Sequence, residues 1–375
     1  MRRPTVRISL IVALSLVVAL VIGVRYAVEN ILPYSPIRPH RVTRAEMETF
    51  APNLLSPSDI ASKWENFDIT VEDSIRLKGW FIHSATLPAR GTILILHGIA
   101  STRMAMLAEA GILSQSGYHC ILYDSRANGE SGGLNCTFGY YEKHDVSAYI
   151  DAALAVHPDA APFGIIGDSL GAAVSLQALA SDKRLVCGIA ESPFATLREV
   201  VHDYFRQMFF LPMTSIPDAV LKRSEQIAHF RVDGVCPACD ARNILQPTLI
   251  VHGEDDNKIA ADQGRRVFDN LASPYKEFYL VKGAGHDDLA AVGGLEYRRR
   301  ILQFFARYMV ADGPHAGTLT HPALEGYTMD IHGSGTWSPK SRSGETVMDC
   351  VCPGRYLKTP GFPQEKASKS PSRTA

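Results

Sequence analysis

The sequence predicts an α/β protein built on a mostly parallel central sheet with helices on both of its faces. Short, wholly apolar runs such as TILIL (92–96) are typical of strands that are covered on both sides. These runs alternate with longer segments of helical character, as expected when crossover helices join parallel strands. The alternating stretches WENFDITV and IRLKGWFI, separated by EDS, predict an antiparallel hairpin at the leading edge of the sheet.

The remaining elements follow the same alternation along the chain. After TILIL, strands are expected at HCILYD (119–124), FGIIG (163–167), VCGIA (186–190), PTLIVHG (247–253) and KEFYLV (276–281). Helices are expected within 102–117, 144–158, 169–181, 261–272 and 295–309. Residues 63–310 are therefore predicted to form one domain.

Residues 8–24 form an uncharged and mostly apolar run that is just long enough to cross a bilayer as a helix. Arg2, Arg3 and Arg7 precede the run and Arg25 follows it. By the positive-inside rule, residues 1–7 lie in the cytoplasm, 8–24 form a signal anchor, and the main body lies outside. The alternative is a cleaved signal peptide and a secreted chain. Arg25 disfavours cleavage, because it lies two places before the best small residue, Ala27.

Three segments lie outside the alternating pattern. Residues 25–62 are rich in proline and are predicted to be a linker between the membrane and the domain. Residues 194–246 interrupt the alternation with an apolar and aromatic helical stretch, which predicts a short helical lid, although simple packing on the sheet is the alternative. Residues 311–375 lack periodicity and are predicted to be a largely disordered tail.

Composition excludes several classes of function. The 375 residues carry a net charge of −1, so no basic excess points to a nucleic-acid partner. The seven cysteines do not form a disulfide scaffold. CPAC (236–239) has no second pair to complete a zinc site, so we expect no metal and no cofactor. These two cysteines are expected to have no function, with a mutual disulfide as the alternative.

The stretch GIIGDSLG places Ser169 where a strand turns into a helix, between Gly167 and Gly171. A serine at such a sharp turn is held exposed, and its neighbours must be glycines because there is no room for side chains. A serine hydroxyl needs a base, and the base needs a partner that fixes its tautomer.

An acid and a histidine follow Ser169 in the order that this topology requires. Asp256 comes after the strand PTLIVHG, and His286 follows KEFYLV within GAGH. Asp255 is the alternative acid if the turn is one residue shorter. His97 and His252 are interpreted as structural turn residues, and Asp168 as a residue that shapes the turn around Ser169.

Residues 64–310 resemble the α/β hydrolases, and among them the serine aminopeptidase-like esterases and lipases. The motifs that carry this resemblance are HGIA (97–100), YDSRANGESGG (123–133), GDSLG (167–171), HGEDDNKI (252–259) and GAGH (283–286). The resemblance implies a Ser169–His286–Asp256 triad, with backbone amides of Ile99 and Leu170 as the oxyanion hole. Ala127 and Asn128 stand where this family usually has glycine and histidine, so that loop is expected to differ.

The resemblance implies a serine hydrolase that transfers an acyl group to water without a cofactor. The aromatic lid segment favours carboxylic esters with an apolar acyl part, including lipid-like esters. Peptide or thioester hydrolysis remains open because a triad does not select the leaving group. A non-catalytic binding protein on the same fold is the alternative from a different class.

Overall fold

The computed structural model describes residues 3–61, 63–209 and 215–309, together with two short strands, Thr336–Trp337 and Cys350–Val351, that pair with each other. Apart from these two strands, the tail 311–375 lies outside the described residues.

Eight strands form the central sheet, in the spatial order β1-β4-β6-β5-β7-β8-β9-β10. The strands in chain order are β1 (Trp64–Asn66), β2 (Ile69–Val71), β3 (Ile75–Leu77), β4 (Gly79–Ile82), β5 (Thr92–Leu96), β6 (His119–Tyr123), β7 (Phe163–Asp168), β8 (Leu185–Glu191), β9 (Thr248–Gly253) and β10 (Lys276–Val281). β1 and β4 pair antiparallel at one edge, β4 is antiparallel to β6, and the other neighbours are parallel. β2 and β3 form a separate hairpin. The predicted sheet with its antiparallel leading edge is thus confirmed.

Helices cover both faces of this sheet. The helices of the described residues in chain order are α1 (Arg3–Asn30), which does not pack on the sheet, α2 (Tyr34–Ile37), α3 (Arg44–Phe50), α4 (Leu107–Gln115), α5 (Glu142–Val156), α6 (Leu170–Ser181), α7 (Leu197–Phe209), α8 (Ser215–Ala228), α9 (Pro237–Asp240), α10 (Ala261–Asn270) and α11 (Leu289–Tyr308). Because side chains alternate along a strand, Leu94 packs with the core under α5 and α6, whereas Ile93 and Ile95 pack with the core under α4 and α11.

Helix α1 extends beyond the predicted span of residues 8–24. It is long and apolar enough to cross a membrane, with a mean hydropathy of 2.4 over its most apolar part and none of that part buried. At 1.5 Å per residue its 28 residues reach about 42 Å, which exceeds the hydrocarbon core of a bilayer. The helix ends at Asn30, and α2 begins at Tyr34.

The segment predicted as a linker, residues 25–62, is not a free tether in the structure. Its first residues continue α1, and residues 31–61, which we call the juxtamembrane segment, pack on the domain. Ile37 and Val42 are 0% and 2% exposed and belong to the cores on opposite faces of the sheet. The linker prediction was wrong because proline marks an irregular backbone, and the apolar residues between the prolines are nonetheless buried.

The described part of the insertion at 194–246 is mostly helical. It holds α7, α8 and α9, with residues 210–214 outside the described part. Cys236 and Cys239 are joined by a disulfide. The expectation of two functionless loop cysteines is therefore corrected to the alternative, since the turn at the start of α9 brings the two side chains together.

Candidate active site

Ser169 lies at the turn between β7 and α6 with a positive φ of 52°, an unusual backbone conformation for a residue with a side chain. Its two flanking glycines explain how the chain makes this turn. A Cβ atom at Gly167 would lie 2.2 Å from the carbonyl oxygen of Gly171, and one at Gly171 would lie 2.4 Å from that of Leu96. The reason predicted for these glycines is confirmed, because neither position has room for a side chain.

Ser169, His286 and Asp256 form a continuous chain of hydrogen bonds. The Nε2 atom of His286 lies 2.9 Å from Ser169 Oγ, and its Nδ1 lies 2.7 Å from Asp256 Oδ2. Each of the three residues is only 7% exposed. The ends of three parallel strands, β7, β9 and β10, carry them to the same edge of the sheet. The arrangement allows His286 to take a proton from Ser169 while Asp256 fixes the imidazole.

The negative charge of Asp256 stabilises the protonated form of His286. Burial of His286 opposes its protonation, but the hydrogen bond and the charge of Asp256 outweigh burial and raise the pKa of His286 above its ordinary value. Burial likewise opposes ionisation of Asp256. Hydrogen bonds from His252, His286 and the backbone of Ile259 nevertheless hold the pKa of Asp256 well below its usual range. Asp256 is therefore ionised throughout the physiological pH range.

The structure places Asp256, and not Asp255, against His286. The second oxygen of Asp256, Oδ1, accepts hydrogen bonds from the backbone amides of Lys258 and Ile259 at 3.0 and 2.9 Å, so its carboxylate is fixed by its own loop. Asp255 is exposed to solvent. Asp287, the neighbour of His286, instead pairs with Lys258.

The loop after β5 runs directly alongside Ser169. A Cβ atom at Gly98 would lie 3.5 Å from the Cβ of Ser169. The next residue, Ile99, and Leu170 are the predicted oxyanion residues, and within the described chain their amides donate to no backbone or side-chain acceptor. His97 stabilises this loop, since its Nδ1 lies 2.7 Å from the Gly98 oxygen and its Nε2 accepts from the amide of Ser125.

The loop between β6 and α5, which carries Ala127 and Asn128, supports the loop after β5. Ala127 adopts a positive φ of 62° in place of the usual glycine. Asn128 is fully buried, and its Oδ1 accepts a hydrogen bond of 3.1 Å from the amide of Ala100. This hydrogen bond holds Ala100, the residue after Ile99, in position.

Two further groups at the site have roles that the sequence did not reveal. His252 is fully buried, and its Nε2 lies 2.8 Å from the Ile259 oxygen and 3.4 Å from Asp256 Oδ2, so it supports the acid loop as well as its own turn. Burial raises the pKa of Asp168 to about 6, and its charge adds to the raised pKa of His286. No local sequence signal marks the contact of His252, because it depends on how the loop after β9 folds back.

A cavity of about 900 Å³ opens over Ser169 and His286. This volume is within the range of small-molecule sites, about 300–1,000 Å³. Its walls are mostly apolar and include α7, the loops around Ser169, the start of α4, the start of α11 and the juxtamembrane segment. Within the described residues, no group of His, Cys, Asp and Glu side chains has the arrangement of a metal site.

Comparison with known proteins shows which sequences and structures the chain resembles. The family model described as serine aminopeptidase, S33 matches residues 88–233. The uncharacterised protein YqkD of Bacillus subtilis is 27% identical over 235 residues, covering 61% of this chain and 74% of that protein. The lysophosphatidylserine lipase ABHD12 of Rattus norvegicus is 30% identical over 207 residues, covering 50% of this chain and 46% of the lipase. The chain thus spans about half the length of that lipase.

Solved structures give the same fold. The esterase Pf2001 of Pyrococcus furiosus superimposes with a TM-score of 0.60 at 26% identity, covering 74% of this chain and 99% of the esterase. The acylaminoacyl peptidase of Pyrococcus horikoshii superimposes with a TM-score of 0.52 at 19% identity, over 69% of this chain and 44% of the peptidase. The second likeness concerns the fold alone.

Proposed function

Because the chain is an α/β hydrolase of the esterase or lipase-like kind, we propose that it hydrolyses carboxylic esters through Ser169, His286 and Asp256. The observation that carries this proposal is the hydrogen-bonded chain of these three residues beneath a largely apolar cavity. A serine whose base is already oriented by a carboxylate is the arrangement that acyl transfer requires.

In the proposed reaction, Ser169 Oγ attacks the ester carbonyl carbon while His286 Nε2 accepts its proton. The amides of Ile99 and Leu170 donate hydrogen bonds to the oxyanion, each worth about 3 kcal/mol of transition-state stabilisation. The C–O bond to the alcohol breaks, and His286 gives the alcohol its proton. Water then attacks the acyl-serine by the same route and releases the acid, so one ester and one water yield one acid and one alcohol.

Two observations support esters rather than peptides as substrates. The cavity wall on α7 carries apolar side chains, including Val201 and Phe205, which suit an acyl chain better than a polar peptide backbone. Two similar proteins are an esterase and a lysophosphatidylserine lipase, and both of these names denote hydrolysis of esters. In this proposal residues 194–246 act as the lid over the acyl group.

We place the enzyme in a membrane, with helix α1 as a single span. The arginines before the apolar run put the N-terminus in the cytoplasm and the hydrolase domain outside. The disulfide between Cys236 and Cys239 supports this placement, because disulfides persist in oxidising compartments.

A labelling experiment tests the proposed function. An active-site-directed fluorophosphonate is expected to label the wild-type protein at Ser169, and Ser169→Ala is expected to lose both the label and at least about a thousandfold of ester turnover. Ser181→Ala is the matched control, because Ser181 is an exposed serine at the far end of α6. Substantial ester turnover by purified Ser169→Ala contradicts the proposal. Faster turnover of peptide anilides or thioesters than of oxygen esters would reassign the substrate class.

A further inference from the structure

The juxtamembrane segment forms one wall of the cavity above Ser169. Met47, Phe50, Ala51 and Leu54, from α3 and the residues after it, line this wall. Apolar residues of α7 line the same cavity. The segment that connects the membrane helix to the domain is therefore also part of the substrate site.

This wall is held in place by specific contacts. The amide of Cys136 donates to the Ile37 carbonyl oxygen at 2.7 Å. Arg41 donates to the carbonyl oxygens of Ser131 and Gly133, both at 2.5 Å. These bonds attach the segment to the loop that also supports the predicted oxyanion residue Ile99, so the wall and the reaction centre have a fixed spacing.

The insertion that carries α7, another wall of the cavity, also contacts the end of the membrane helix. Ser224 Oγ, on α8 of the insertion, donates to the Pro33 carbonyl oxygen at 2.7 Å, and Arg223 on the same helix donates to the Glu29 carbonyl oxygen at 3.4 Å. The end of α1 thus lies against the insertion that carries α7. The juxtamembrane segment follows the membrane helix directly, and the insertion is hydrogen-bonded to the end of this helix.

Distance along the chain puts the cavity close to the bilayer. Ser35 is the first residue of the chain that lines the cavity, and it follows the end of α1 by five residues. Five extended residues reach at most about 18 Å, and the six residues of α1 beyond the apolar run, 25–30, add about 9 Å, so the cavity begins within about 27 Å of the end of the apolar run. Large apolar side chains are exposed at the cavity, with Phe50 exposed by 37% and Met208 by 61%.

We propose that the juxtamembrane segment is the outer wall of an acyl-chain site, and that the acyl chain enters this site from the bilayer in which α1 is anchored. The substrate is then a long-chain carboxylic ester of a membrane lipid, taken directly from the leaflet next to the domain. This inference rests on the proposed function. It adds Phe50 and Leu54 as residues that determine chain-length specificity.

The first experiment tests the wall with the full-length protein. Phe50→Ser and Leu54→Ser, both at partly exposed positions, are expected to lower kcat/KM for a p-nitrophenyl dodecanoate by about tenfold and to change that for the acetate by less than about twofold. Leu245→Ser is the matched control, because Leu245 is 64% exposed and lies away from the cavity. An equal loss on both esters, or an unchanged rate on the dodecanoate, overturns the role of the wall.

The second experiment tests entry from the bilayer. Full-length protein is reconstituted into phosphatidylcholine vesicles, and a fluorogenic dodecanoyl lipid ester is placed either in the same vesicles or in separate, protein-free vesicles. Turnover is expected to be at least about tenfold faster when enzyme and ester share a membrane, because anchoring raises the effective concentration. Equal rates in the two settings overturn bilayer entry.

The two proposals fail in distinguishable ways. The proposed function is contradicted if the fluorophosphonate does not label Ser169 of the wild-type protein and the protein does not hydrolyse the soluble acetate ester. Normal labelling and normal acetate turnover, with no preference for the shared membrane, contradict only the further inference.

Discussion

Asn128 accepts a hydrogen bond of 3.1 Å from the amide of Ala100, and this bond joins two loops that meet beside Ser169. Ala100 itself has a positive φ of 52°, so the loop after β5 is held in an unfavourable conformation next to Ile99. The Nδ2 atom of Asn128 donates to the Arg126 carbonyl oxygen, which fixes the orientation of its amide. The residue that departs from the usual histidine of the family therefore supports the predicted oxyanion loop.

We expect Asn128→Ala to lower kcat by about tenfold with little change in KM, because a misplaced Ile99 amide stabilises the transition state less. Asn128→His is expected to recover part of the loss, since a ring nitrogen can accept the same hydrogen bond. Steady-state kinetics on an acetate ester measure both, with the exposed Asn66→Ala as control. A rise in KM at constant kcat would assign Asn128 to substrate binding instead.

Asp256→Asn is expected to lower kcat by about 10³–10⁴-fold, because an asparagine no longer selects the tautomer that His286 needs. Asp255→Asn is the matched control, since Asp255 is adjacent in the chain but exposed, and it should keep nearly full activity. Kinetics on purified, folded variants decide between them. A larger loss of kcat in Asp255→Asn than in Asp256→Asn would identify Asp255 as the acid.

The pH dependence of kcat/KM follows from the pKa of His286. The imidazole must be neutral to accept the proton of Ser169, and its pKa is raised, so activity falls on the acidic side at a higher pH than an ordinary histidine would give. Asp168 contributes to that rise once it is ionised, above about pH 6. Asp168→Asn removes this charge, lowers the pKa of His286 and moves the acidic limb to lower pH.

Profiles of kcat/KM against pH for the wild type, Asp168→Asn and Asp255→Asn measure this effect. The acidic limb of the pH profile of Asp255→Asn is expected to lie at the same pH as that of the wild type, because the Asp255 carboxylate is exposed and does not contact His286. An acidic limb that stays in place in Asp168→Asn, or moves to higher pH, shows that Asp168 does not act on His286.

The sheet was predictable because its signals are local. The apolar run at 92–96 has the length and residue types of a buried strand, and the glycines around Ser169 mark a turn with no room for side chains. The same local signals locate the ends of the strands. Ser169, Asp256 and His286 each come after one of these ends, so their order along the chain was predictable too.

The juxtamembrane segment was not predictable in the same way. Its burial depends on contacts with residues far along the chain, such as that of Ile37 with Cys136, and no periodic pattern reports them. The contact of His252 with Asp256 was missed for a related reason, because the loop after β9 must fold back to bring the two together. Proline content predicts an irregular backbone, but it does not show whether the residues between the prolines are buried.

Ile37→Ala tests whether the juxtamembrane segment is part of the folded domain. Ile37 is fully buried, so the substitution is expected to lower the free energy of unfolding by about 2–5 kcal/mol. Ile31→Ala is the control of the same residue type, since Ile31 is 57% exposed, and its effect should stay within about 0.5 kcal/mol. Denaturant unfolding of full-length protein in detergent measures both. A negligible effect of Ile37→Ala on the free energy of unfolding would mean that the segment is a linker and does not belong to the folded domain.

The last prediction concerns the placement of the protein in its membrane. Arg2, Arg3 and Arg7 precede the apolar run and only Arg25 follows it closely, so we expect the N-terminus in the cytoplasm and the domain outside. The protein is then expected to sediment with membranes, to resist extraction with alkaline carbonate, and to be degraded by protease added to intact spheroplasts. A cytoplasmic protein serves as the control for spheroplast integrity. Protection of the domain from added protease would place it in the cytoplasm, and a shortened soluble chain would show that residues 8–24 are a cleaved signal. A domain outside the cell next to its anchor would meet the outer leaflet, the same leaflet from which the proposed acyl-chain site takes its substrate.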